Sequence, residues 1–127
     1  MNIGIRLIQV AAVYMTVGVI MGLAMGIAGD FALSSVHAHV SLLGWATMGI
    51  AGIVYLLLPG CGQSPLAKLH FWGHNIGLPV MLVSLALYAL GVAAAEKVIA
   101  AGSILVVASL LVFSFNVLRN GRLDYRR

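Results

Sequence analysis

The chain is a succession of four long apolar runs separated by short breaks of polar and turn-forming residues. The runs cover about residues 5–29, 36–58, 66–94 and 98–118. Each holds the roughly 20 mostly apolar residues that a helix needs to cross a hydrocarbon layer about 30 Å thick. None alternates with the period of two that marks a lipid-exposed barrel strand. The pattern predicts an all-α fold, a four-transmembrane-helix bundle forming a single domain over residues 1–127.

The breaks carry helix punctuation. Gly29-Asp30 ends the first run, and Ser34 or Ser35 can cap the second with a hydroxyl. Pro59-Gly60 stops the second helix, because proline lacks a donor N–H and glycine tolerates left-handed backbone. Ser64-Pro65 reads as the N-cap and first position of the third helix. A very short turn at 93–96 makes the third and fourth helices antiparallel neighbours, and Asn120-Gly121 closes the fourth. Asn75 and Pro79 mark a kink in the third helix. Small residues make two stripes, Gly18, Gly22, Gly26 and Gly29 on helix one and Gly44, Gly49 and Gly52 on helix two. Such stripes let membrane helices approach closely.

Composition agrees with lipid as the surrounding medium. Of 127 residues, 62% are apolar and 8% are charged; a soluble domain carries about a quarter charged residues. The first run has a basic residue, Arg6, before it, but it is much longer than the 7–15 apolar residues of a cleaved leader. Arg6, Lys68, Arg119, Arg122, Arg126 and Arg127 all fall on one side of a four-span chain. The other side has Lys97, offset by Glu96 and Asp30. The positive-inside rule then predicts both termini in the cytoplasm and the 30–35 loop outside, as in a multi-pass protein of a bacterial-type inner membrane. The basic tail reads as an anchor beside anionic lipid, not as a nucleic-acid site. A single cysteine, Cys61, excludes an internal disulfide and a cysteine-built zinc site.

Ionisable side chains inside membrane spans mark functional sites. All four histidines stand near helix starts, in two pairs of different spacing. His37 and His39 are two apart and diverge by about 200° on a helix, so they serve two separate flanks. Neutral imidazole suits iron, copper or zinc. His70 and His74 are four apart and share one face. They can hold one metal jointly, or hydrogen-bond a headgroup or quinone. Counting residues from the helix ends separates the two pairs by roughly 15 Å or more along the membrane normal. Against these readings, a histidine at a helix end can simply meet headgroups or cap carbonyls. Trp72 fits an interface anchor, and the deeper Trp45 is read first as a packing residue and second as a surface for a ring. Met15, Met21, Met25, Met48 and Met81 are read as packing residues.

The segment Val36-His37-Ala38-His39-Val40-Ser41-Leu42-Leu43-Gly44-Trp45 resembles the tenth helix of the haem–copper oxidase superfamily catalytic subunit, which includes the nitric oxide reductases. In that family a His-x-His pair at the outer end of the helix binds the low-spin and the high-spin haem. His70-Phe71-Trp72-Gly73-His74-Asn75-Ile76-Gly77-Leu78-Pro79 also looks like short oxidase-related membrane proteins. The family subunit is three four-helix units in a twelve-helix ring, and its tenth helix is second in its unit, as helix two is here. The resemblance implies a homotrimer that mimics the twelve-helix subunit. Haem b would lie in inter-subunit clefts with His37 and His39 as axial ligands and with Gly44 and Trp45 in the pocket, and the role would be electron transfer. An electron carrier of this kind would take a quinol or redox-protein donor. The resemblance assigns His70 and His74 to no family site, and their shared face leaves them as a second metal or quinol site. The chain lacks the family's adjacent His-His pair, so a complete oxygen- or nitric-oxide-reducing centre is not expected. A copper site on His37 and His39, or a structural assembly subunit, are the competing readings. A transporter fits poorly, since no Asp or Glu lies within a span.

Overall fold

The computed structural model describes residues 1–122, so Arg126 and Arg127 lie outside the described residues. Four helices are long and apolar enough to cross a membrane. We label them α1 (Ile3–Ala28), α2 (Ser34–Leu57), α3 (Pro65–Ala89) and α4 (Glu96–Asn120). No strand occurs among the described residues. This is the make-up of a multi-pass membrane protein.

Local chemistry sets most of the ends. Asn2 caps α1 by accepting from the Ile5 N–H at 3.2 Å, and Gly29 closes it in the left-handed region at φ 64°. Ser64 caps α3 as expected, accepting from the Ala67 N–H at 3.3 Å. Two expectations are corrected. Ser34 and Ser35 do not cap α2; Ser34 is already its first helical residue, and the preceding turn is tied by Asp30, which accepts from the Ala32 N–H at 3.0 Å. Helix α3 ends at Ala89, not near residue 94. The chain turns at Gly91, whose φ of 99° only glycine adopts freely, and a 3₁₀ turn over Ala93–Ala95 leads into α4. Pro79 sits within a continuous α3, and the Asn75 amide donates to the Phe71 carbonyl at 2.8 Å.

The second span is not a uniform α-helix. Between Ser34–His39 and Met48–Leu57, residues Val40–Thr47 form a π-helix, in which each N–H reaches back five residues instead of four. The Thr47 hydroxyl follows the same offset and donates to the Leu42 carbonyl at 2.7 Å. The widened segment is pressed from two sides. The Tyr14 ring of α1 lies on Gly44, where an added Cβ would come within 2.5 Å of it. From α3, the His74 ring reaches the Leu43 carbonyl.

Packing is organised as two antiparallel hairpins, α1 with α2 and α3 with α4, joined where α3 meets the first hairpin. Glycines set the spacing in each. A Cβ on Gly4 would stand 2.8 Å from the Gly52 carbonyl oxygen, so α1 and α2 touch backbone to backbone. A Cβ on Gly102 would stand 2.7 Å from the Met81 nitrogen, which gives the same closeness between α4 and α3. Of the expected stripes, Gly52 lies at such a contact, Gly18, Gly22 and Gly44 lie close against side chains, Gly49 is in ordinary contact with Ala11, and Gly26 and Gly29 face open space.

The distribution of side chains is inverted relative to a soluble domain. Val13, Ile20, Leu23, Ile27, Leu42, Ile104 and Leu111 point outward, while His70, His74, Ser84, Ser109 and Asn116 are buried. An apolar exterior around a polar-studded interior is stable only in a medium that cannot hydrogen-bond, which is consistent with contact with the bilayer.

Candidate functional site

The two histidine pairs are built differently. His37 and His39 occupy the first turns of α2, just before the π segment. Their two-residue spacing splays them as expected on a helix. The His37 ring lies over Gly22 of α1, with its Cε1 3.0 Å from the point where a Cβ would be. A methyl there would press on the ring, which would have to give by a few tenths of an ångström. Its Nδ1 is buried and finds no hydrogen-bond partner among the described residues.

His39 is half-buried, and its Nδ1–H donates to the Ser35 carbonyl at 2.7 Å. A carbonyl only accepts, so this bond fixes the tautomer: the proton is on Nδ1 and the lone pair is on Nε2. Alongside, Ala38, Leu42 and Trp45 are exposed, with Trp45 41% accessible. Gly44 faces the other way, packed under the Tyr14 ring. The predicted pocket residues Gly44 and Trp45 therefore do not share a face. The cavity of about 220 Å³ at this end is lined by Met25, Asp30, Leu33 and Leu90 rather than by the histidines.

His70 and His74 are drawn together, and both are fully buried. Their rings meet edge to face, with centroids 5.6 Å apart. The Tyr55 hydroxyl of α2 lies 3.1 Å from His70 Nδ1, and Phe113 of α4 packs against both the Tyr55 and His70 rings. His74 Nε2–H donates to the Leu43 carbonyl at 3.1 Å. Each imidazole thus has one nitrogen engaged and the other, His70 Nε2 or His74 Nδ1, buried without a partner among the described residues.

This contact also corrects the expected separation of the pairs. Leu43 lies four residues beyond His39, about 6 Å of helix rise. His74 therefore sits about one turn from His39 along α2, not 15 Å away. Counting from helix ends says nothing of how far one helix is slid along another, and the stagger here is set by the Tyr55–His70 and Leu43–His74 contacts. Even so, no three histidine, cysteine, aspartate or glutamate side chains gather into a metal-binding group among the described residues.

Tyr55 and the buried Asn116 were not singled out from sequence. Asn116 ties the loop before α3 to α4. Its Nδ2 donates to the Cys61 carbonyl at 3.1 Å, and its Oδ1 accepts from Ser64 at 2.9 Å and from Asn120 at 2.8 Å. Cys61 is buried beneath this knot, and burial pushes its thiol pKa up. Trp72 is 56% exposed on α3, apart from both pairs.

No family model, curated protein or solved structure matches this chain.

Proposed function

We propose that this chain is a haem b-binding membrane protein that carries electrons, with His39 as an axial ligand. The observation behind this reading is the Nδ1–H bond from His39 to the Ser35 carbonyl. Metal-bound histidines characteristically give their second N–H to a carbonyl or carboxylate, which orients the ring and raises its basicity. His39 has that outer partner in place, with its Nε2 lone pair uncommitted and apolar Leu42 and Trp45 exposed nearby. The His-x-His spacing supplies the kinship argument, resting on helix two alone.

A macrocycle is larger than the cavity of about 220 Å³ beside these residues, and ligand pockets run from about 300 to 1,000 Å³. The reading therefore places haem between copies, with one chain giving His39 and its neighbour His37 from the groove against Gly22. Three copies complete a twelve-helix ring. With Arg6, Lys68 and Arg119 at the end opposite His39, the termini face the cytoplasm and the haem sites lie at the outer side. Held by His39 of one chain and His37 of another, a bound haem would supply one-electron chemistry. The protein's own contribution is to fix ring orientation through Ser35 and to exclude water with apolar side chains.

Spectroscopy with metal quantification on the purified full-length chain, expressed with haem available, tests this. Iron with a Soret band that is lost in His39→Ala supports it. Copper without a Soret band points to the same histidines in copper handling. Neither metal, with His39→Ala indistinguishable from the parent, leaves a structural subunit.

A further inference from the structure

The inner histidine pair is built independently of His39 and of any cofactor His39 holds. Hydrogen positions follow from the partners. A neutral imidazole has one N–H and one lone pair. The Leu43 carbonyl can only accept, so His74 carries its proton on Nε2 and its Nδ1 is a bare lone pair. The Tyr55 hydroxyl and His70 Nδ1 are paired at 3.1 Å; the arrangement we infer has Tyr55 donating, which puts the His70 proton on Nε2. The two unpartnered atoms are then complementary: a donor on His70 and an acceptor on His74, on adjoining rings.

Two fully buried polar atoms left unpaired in an apolar span each carry an uncompensated desolvation cost. One water placed between them satisfies both and adds no charge. A metal ion fits less well. No third histidine, cysteine or carboxylate joins the pair among the described residues, so its charge would stand uncompensated inside the span.

With that water, every hydrogen points the same way. Tyr55 donates to His70, His70 to water, water to His74, and His74 to Leu43. Tyr55 also borders a cleft of about 390 Å³ at the end of the bundle where α1 begins and α2 ends, alongside Asn2, Gln63 and Lys68. We propose that Tyr55, His70 and His74, bridged by one internal water, form a proton-carrying chain from this cleft to His74.

The transfer balances without an electron. A proton arriving at the Tyr55 oxygen sends the hydroxyl proton to His70 Nδ1. The His70 Nε2 proton passes to the water, and a water proton passes to His74 Nδ1. His74 then holds the added charge, with its Nε2–H still on the Leu43 carbonyl. The titratable and polar groups facing the chain are Tyr55 from α2 and the two histidines from α3; α4 presents Phe113 to His70 and Asn116 to Tyr55, Cys61 also lies near Tyr55, and Lys68 lines the cleft at the entry end.

The test uses the full-length chain in lipid nanodiscs with ¹⁵N-labelled histidine. In the parent protein, the His74 Nδ1 resonance is expected to be that of a hydrogen-bonded acceptor with a cross-peak to water. Exchange of the ring protons of His70 and His74 with deuterated solvent should slow roughly tenfold in Tyr55→Phe, the loss expected for one hydrogen-bonded link. His39 exchange should stay as it is and serve as the internal control. A His74 Nδ1 resonance of an unbonded lone pair overturns the proposal, as does exchange unchanged in Tyr55→Phe, or a shift of both rings on adding zinc. If Tyr55→Phe does not fold, the resonance in the parent protein decides the matter alone.

Discussion

The outer pair, His37 and His39, and the inner pair, His70 and His74, are the same side chain used in two ways. Two residues of spacing turn one ring toward α1 and leave the other on an outward-facing surface with its Nε2 uncommitted. Four residues of spacing stack both rings in the interior, where their partners are Tyr55, Leu43 and each other. The first arrangement suits a ligand shared between molecules. The second suits an internal network. Spacing alone predicts which rings meet. What each pair can do depends on whether its free nitrogen looks outward or inward.

The sharpest separation of the pairs comes from exchanging the damage. His39→Ala should abolish haem binding, while His74→Leu, an apolar replacement inside the bundle, should leave the haem spectrum intact. A spectrum that survives the first and vanishes in the second would reverse the assignment. Next in size is Gly102→Leu. Its side chain has to enter where the Met81 backbone already stands within 2.7 Å of a Cβ position, so α4 must move away from α3. A loss of about 1–3 kcal/mol or more is expected, read as a lower midpoint of thermal unfolding in detergent. The inner pair should feel this more than the outer pair, since α4 packs Phe113 against His70.

How much of this was legible follows from what each feature depends on. The four spans were readable because lipid demands long uninterrupted apolar runs. The Ser64 cap was readable because capping is local. The end of α3 was missed by five residues, because the run of apolar residues continues through Leu90-Gly91-Val92 while the backbone turns at Gly91. The π segment left no trace in composition. It coincides with Tyr14 and His74, which reach Gly44 and Leu43 from other helices. For the same reason Tyr55 went unnoticed: a tyrosine near a helix end is ordinary until a buried imidazole is found beside it. Gly44 was expected to make room for a flat ring. It does face a ring, that of Tyr14 in the same chain.

Smaller effects refine the contrast. Ser64→Ala removes the α3 cap and one bond to Asn116, and should cost about 1 kcal/mol without altering either histidine pair. Cys61 is fully buried with its thiol pKa pushed up, so alkylation near neutral pH should be slow in the folded chain and fast once it is unfolded. The sign follows for stability as well. Above the ordinary thiol value the unfolded chain ionises first, so stability should fall as pH rises past that point. The least disruptive change is Gly22→Ala, whose methyl would meet His37 Cε1 at 3.0 Å. It should shift that ring by a few tenths of an ångström and perturb a bound haem's spectrum without abolishing it.

The most direct trial of the central assignment is the reduced-minus-oxidised difference spectrum of the purified full-length chain beside that of His39→Ala. The account predicts a b-type haem signal in the parent and none in the variant. A parent protein that takes up no haem, or a variant whose signal matches it, contradicts the account.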